Sequence, residues 1–303
     1  GAVLTLLWHH IQDHVWFIRT EVTDLLAAFQ IFETINTTGT KLTMLDVIRA
    51  NLLSKAHGKQ NQQEIEEAVK RIADDEILTR EELQHFTRIY WISKKGVKKT
   101  NIVVQKEITD HVNLIGDDGE ALLDFANELT EHCVHYRDII RPEDQPDSPF
   151  SRRYREDIVE FNKIIKGHLS LLLKLRSQAW ATPENEVALL RTFEATWLMH
   201  NLCIGGRFYL IDQVYAKLCH LNVGSSSNPD AVPINDFDTL KDEMMKVYDD
   251  LLFNAPLGNQ PPYTSEQFKE GFSQLKVSET KAANVILRQL SNHFEGPERE
   301  LRN

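Results

Sequence analysis

The sequence predicts a mainly α, multi-helical protein with one short strand near its N-terminus. Three observations carry that expectation. Apolar residues recur at the 3.6-residue period through most of the chain after Asp24. The periodic segments are punctuated by helix-start and helix-stop residues such as Thr182-Pro183 and Gly205-Gly206. Only Val15 to Val22, VWFIRTEV, combines β-branched and aromatic residues with period-two alternation.

Composition bounds the class. The chain has 303 residues, 42% of them hydrophobic and 26% charged, enough to bury a substantial core. Apolar runs such as Leu171 to Leu173 are far too short to span a bilayer, so no membrane partner is expected. The formal net charge of -11 argues against a generally basic nucleic-acid coat, while leaving room for a local basic patch. Cys133, Cys203 and Cys219 are scattered without CxxC spacing, which suggests free thiols in a reducing, cytoplasmic setting.

Taken in order, Leu4, Leu7, Trp8 and Ile11 predict a first helix, and Val15 to Val22 the strand. From Asp24, the residues Leu25, Ala28, Phe29, Phe32 and Ile35 line one helical face, and Gly39 suits a left-handed exit. Thr43 and Asp46 have capping-box spacing and open a helix to about Lys55. Further helices are expected around Ile65 to Ile72, Leu83 to Ile89, Val103 to Ile115 and Gly119 to Ile140. Residues 142–151, rich in proline, read as a linker between domains at 1–141 and 152–303. A single long helix is predicted over Tyr154 to Leu175, and another from Thr182-Pro183 to Asn201. Helices over Phe208 to Leu221, Phe237 to Phe253, Ser265 to Leu275 and Glu279 to Phe294 complete the pattern.

The most specific stretch is Phe29 to Arg49, FQIFETINTTGTKLTMLDVIR. Within it Phe32, Asn36, Gly39, Leu42 and Asp46 form F-x-x-x-N-x-x-G-x-x-L-x-x-x-D, following the predicted strand. This resembles the third motif of the GmrSD-type family, the ParB-like domain of modification-dependent restriction enzymes, over roughly residues 15 to 55. The resemblance implies that the strand is left from a ParB-like α+β domain whose C-terminal part, with a helical extension, occupies 1–141. It implies nucleotide binding, with NTP and Mg as cofactors, through Asn36, Gly39, Asp46 and Arg49. It also implies sensing of modified DNA and coupling to a nuclease domain or subunit outside this chain, in anti-phage defence. No IPxYQR-like, DGQQR or HNH-like segment is present, and the first two are expected upstream of residue 1. The parent protein would be an NTP-dependent DNA endonuclease, and this chain alone would be inactive.

Each motif residue also has a plainer reading: Asp46 as a capping carboxylate, Gly39 as a helix terminator, Asn36 as a last-turn residue bonding a free carbonyl. The amides opened at a helix start are nonetheless a natural phosphate site. A second candidate is the basic loop Lys94, Lys95, Lys98 and Lys99, just after Tyr90 and Trp91, as a DNA contact; its plainer reading is a solvated turn. Arg152, Arg153 and Arg155 form a smaller basic cluster. His10 and His14 have i, i+4 spacing, but no HExxH and no third ligand accompany them, so no metal is expected. His132, Cys133, His135 and His168 read as packing residues. P-loop, G-x-S-x-G and Rossmann glycine patterns are absent. The competing functional class is a non-enzymatic helical protein-interaction module.

Overall fold

The computed structural model describes residues 2–15, 43–58, 60–73, 77–96, 100–145, 147–178, 180–203, 208–220, 234, 236–250, 264–274 and 286. Its internal contacts divide the chain into residues 1–42 and 43–303. In the first unit one helix is described, α1 (Ala2–His14). Its Leu4, Leu7, Trp8 and Ile11 share the expected spacing, and all four are exposed. The predicted strand lies, beyond Val15 itself, outside the described residues, as do most of Phe29 to Arg49 and the region Glu279 to Phe294 apart from Ile286.

Helices make up most of the described part of the second unit, so the fold is mainly α. The helices are α2 (Met44–Ala56), α3 (Gln62–Ala73), α4 (Arg80–Lys95), α5 (Asn101–Ile115), α6 (Gly119–Ile140), α7 (Arg152–Asn162), α8 (Leu169–Arg176), α9 (Pro183–Trp197), α10 (Phe208–His220), α11 (Phe237–Tyr248) and α12 (Ser265–Ser273). Their ends follow from local chemistry. Thr43 and Asp46 form a full capping box on α2, and Thr79 and Glu82 another on α4. The Asp118 carboxylate accepts from the Glu120 and Ala121 amides at the start of α6. Thr182 caps α9 with Pro183 in its first turn, as the sequence indicates. Helix α4 ends at Gly96, whose φ of 65° puts it in the left-handed region, and whose amide donates to the Ile92 carbonyl.

One hydrophobic core runs from Met44 to Tyr248. Helix α3 packs on α6, α2 on α3 and α5, and α4 on both α8 and α10. Trp91, Tyr154, Phe161, Phe193 and Tyr215 are fully buried, each side chain contributing roughly 1.5–3 kcal/mol of transfer free energy. In the stretch 142–151, expected to link two domains, Pro142, Ser148, Phe150 and Ser151 are buried. Pro142–Asp144 form a 3-10 turn, and Phe150 stacks on Tyr154 at 4.4 Å between centroids. Helix α8, beyond this stretch in sequence, packs on α4 and α6 before it.

The long helix expected over Tyr154 to Leu175 is two helices. At its break the Lys163 and Ile164 amides bond carbonyls three residues back, Glu160 at 3.1 Å and Phe161 at 3.0 Å, which tightens and ends α7. The apolar period survives the break because Ile165 and His168 stay buried in the turn. Gly167 lies in this turn. A Cβ on it would meet Asp212 Oδ1 at 2.2 Å and the Asp212 Cα at 3.2 Å, so α10 approaches closely where the glycine lacks a side chain. The helix expected to reach Asn201 continues instead from Trp197 into a π-helical turn, Leu198–Cys203. Helix α12 packs against that turn, with Gly271 pressed to the Cys203 carbonyl so tightly that a Cβ would lie 1.8 Å from its oxygen. Cys133, Cys203 and Cys219 are free and buried.

Candidate functional site

Of the residues read from sequence as nucleotide-binding, Asp46 and Arg49 are described, and Asn36 and Gly39 lie outside the described residues. Asp46 sits at the third position of α2. Its Oδ2 accepts from the Thr43 amide at 2.6 Å and the Thr43 hydroxyl at 2.8 Å, and its own amide donates back to Thr43 Oγ1 at 3.2 Å. The capping reading of Asp46 is therefore realised. Both bonds fall on Oδ2, so Oδ1 takes no part in the cap. Arg49 is half-buried one turn further along α2. Behind them Ile48 and Leu52 anchor the helix in the core at full burial.

Lys94 and Lys95 close α4, while Lys98 and Lys99 lie outside the described residues. Lys94 forms an ion pair with Glu128 of α6 and lies 6.0 Å from the Tyr90 ring centroid. Lys95 lies over the Trp91 ring at 5.1 Å. Both are exposed, but the Lys94 charge already faces a carboxylate, and the aromatic neighbours are buried in the core. The indole N–H of Trp91 donates to Glu107 of α5 at 2.8 Å, so this ring is a structural anchor and leaves no open stacking platform.

His10 and His14 stack at 4.6 Å between centroids. Among the described residues no group of three or more His, Cys, Asp or Glu is arranged to hold a metal ion. Burial pushes the Cys133 thiol up to about 12, partly offset by Arg137, which makes it inert as a nucleophile at neutral pH. His168 is wholly buried among Phe161, Phe193 and Tyr215, and neither ring nitrogen has a hydrogen-bond partner among the described residues. Burial alone lowers its pKa to about 3, so the ring is neutral.

A cleft of about 120 Å³ opens between α4, α10 and the turn that leads into α8. Its apolar wall is Ile89, Ile92 and Ala216, and its polar lining is His85, Arg88, Lys166, Ser170 and Asp212. His85 and Arg88 project from successive positions on one face of α4. Lys166 stands on the turn made possible by Gly167. His85 Nδ1 shares a 2.6 Å hydrogen bond with the Tyr136 hydroxyl, which leaves Nε2 as the ring nitrogen not engaged by Tyr136. Its pKa falls to about 4, first through burial and then through the positive charges of Lys166 and Arg88. Arg88 Nε is buried without a hydrogen-bond partner among the described residues. Ser170 Oγ is engaged, donating to the Gly167 carbonyl at 2.8 Å.

The sequence reading had no means of assembling this group. His85 and Asp212 lie 127 positions apart (212 minus 85), and no motif spacing marks the group. The one usable signal is the Lys166-Gly167 pair inside an otherwise periodic helix pattern, where glycine is costly unless something approaches it closely.

No helix among the described residues is long and apolar enough to cross a membrane. Comparison of the chain with protein-family models, with curated proteins and with solved structures gives no match.

Proposed function

We propose that this chain is the helical part of a GmrSD-like anti-phage restriction factor, contributing one wall of a nucleotide pocket and relaying its state to a nuclease domain outside the chain. The observation that carries the reading is the Thr43–Asp46 cap at the end of the F-x-x-x-N-x-x-G-x-x-L-x-x-x-D pattern. The cap fixes the Asp46 carboxylate at a helix start through Oδ2, and Asp46 would help to hold a Mg ion carried by an NTP. A bare phosphate at this helix start would meet the Asp46 charge, so binding through the metal is the electrostatically sound arrangement. Modified-DNA sensing belongs to the same proposal, with Lys95 and the following basic residues as the contact; the pairing of Lys94 with Glu128 makes its share small.

Calorimetric titration of the full chain with GTP and with ATP, each with magnesium, tests the pocket. Saturable binding is expected, lost in the Asn36→Ala/Asp46→Asn double variant. Asparagine at position 46 keeps an oxygen acceptor for the cap, and circular dichroism checks that the helix content is retained. A flat titration of the unsubstituted chain overturns the reading.

A further inference from the structure

The cleft between α4, α10 and the turn before α8 combines features that internal stability does not require. It places Arg88 and Lys166 around a concave volume of about 120 Å³, within a chain of formal charge -11. Arg88 Nε is buried yet makes no hydrogen bond among the described residues, an arrangement that costs free energy unless a ligand or water completes it. Lys166 is exposed on the rim. The Asp212 carboxylate also lines the cleft, so the side-chain charges there are two positive and one negative, with His85 neutral.

From this geometry we propose that the cleft is a binding subsite for a phosphoryl group, held by the Arg88 fork and the Lys166 ammonium, with His85 Nε2 as a neutral hydrogen-bond partner. Guanidinium and ammonium groups together are the usual chemistry for a tetrahedral oxyanion, the one giving paired directional bonds and the other a mobile point charge. The apolar wall of Ile89, Ile92 and Ala216 excludes bulk water from one side and strengthens those contacts. Ser170 is spent on the Gly167 carbonyl, so it shapes the wall without serving as a ligand. The small volume admits the phosphoryl group itself, with any attached alcohol outside. The site shares no residue with the Thr43–Asp46 cap, and it stands or falls independently of the nucleotide reading.

The test is titration of the full chain with inorganic phosphate, and in parallel with 5′-AMP as a monoester, both without magnesium at pH 7. Single-site binding of either probe is expected, weakened tenfold or more by Lys166→Gln and by Arg88→Gln, and strengthened by Asp212→Asn. Lys166 is exposed, so its variant keeps the test valid if Arg88→Gln disturbs packing. The His85 ring signals in NMR should shift on saturation, with a raised apparent pKa because the bound anion favours imidazolium. Asn36→Ala/Asp46→Asn should leave this binding unchanged, separating its failure from failure of the nucleotide pocket. Absence of saturable binding, equal affinity in the Lys166→Gln and unsubstituted chains, or unmoved His85 signals would each overturn the proposal.

Discussion

Two regions of the second unit bring cationic and acidic side chains together and treat them in opposite ways. Between α7, α8 and α9, Arg176 grips Glu186 with two bonds of 2.8 and 2.6 Å, and Tyr154 donates to the same carboxylate at 2.7 Å. Beside it Arg191 bridges Asp157 at 2.6 Å and Glu194 at 2.7 Å, both carboxylates essentially without solvent contact. Arg176 and Arg191 each meet carboxylates within the protein. In the cleft, Arg88 and Lys166 face a volume, and the buried Arg88 Nε has no hydrogen-bond partner among the described residues. The difference teaches that a buried charge closed on its partner is architecture, whereas charges gathered around space are candidates for a ligand.

Glu186→Ala leaves the Arg176 guanidinium and the Tyr154 hydroxyl without their partner and should cost about 3–5 kcal/mol in urea unfolding. Lys166→Gln in the cleft should stay within about 0.5 kcal/mol of the unsubstituted chain. Equal losses would erase the distinction between the two regions. Next, Gly167→Ala forces a Cβ against Asp212 and should cost about 1–3 kcal/mol in the same assay, while reducing phosphate affinity because the cleft wall must shift.

His168 is buried, and neither of its ring nitrogens has a hydrogen-bond partner among the described residues. Its pKa of about 3 in the folded protein lies below the ordinary value near 6.5, so the unfolded chain binds the extra proton as pH falls. Stability from a neutral His168 is thus complete above about pH 6.5 and is lost on acidification, at about 1.4 kcal/mol per pH unit between those values. His85, lowered to about 4, adds a slope in the same direction. His168→Leu should raise stability by about 1–2 kcal/mol at pH 7, with a gain that grows towards pH 5; a pH series of thermal melts reads both. The smallest effect is Thr43→Ala, which removes the hydroxyl of the α2 cap and should cost about 1 kcal/mol.

The sequence was most informative where the physics is local. The Thr43–Asp46 cap, the Thr182-Pro183 start and the helical stripe of α6 each follow from residues within a few positions of one another. It misled where distant contacts decide. Ile158, Phe161, Ile165, His168 and Leu172 keep one period across two helices, because the turn between them buries the same side chains a continuous helix would. Only Asp212, far along the chain, explains Gly167. The π turn at Leu198–Cys203 likewise has no marker in its own residues, and its neighbour Gly271 lies beyond position 264. The candidate sites divide in the same way: Asp46 was legible as a cap, while His85, Arg88, Lys166 and Asp212 meet only through the packing of α4, α10 and the α8 turn.

The three buried thiols have a practical consequence. Burial raises Cys219 to about 11 and Cys133 to about 12, and also raises Cys203, so each is protected by its pKa as well as by its packing. They stand in α10, α6 and the π turn, three separate parts of the second unit. A thiol reagent added to the native protein can modify each one only as fast as its surroundings open, which gives the molecule three built-in clocks for local breathing. Cys203, at 8% exposure, is set to run first, and the two fully enclosed thiols to keep time for the core itself.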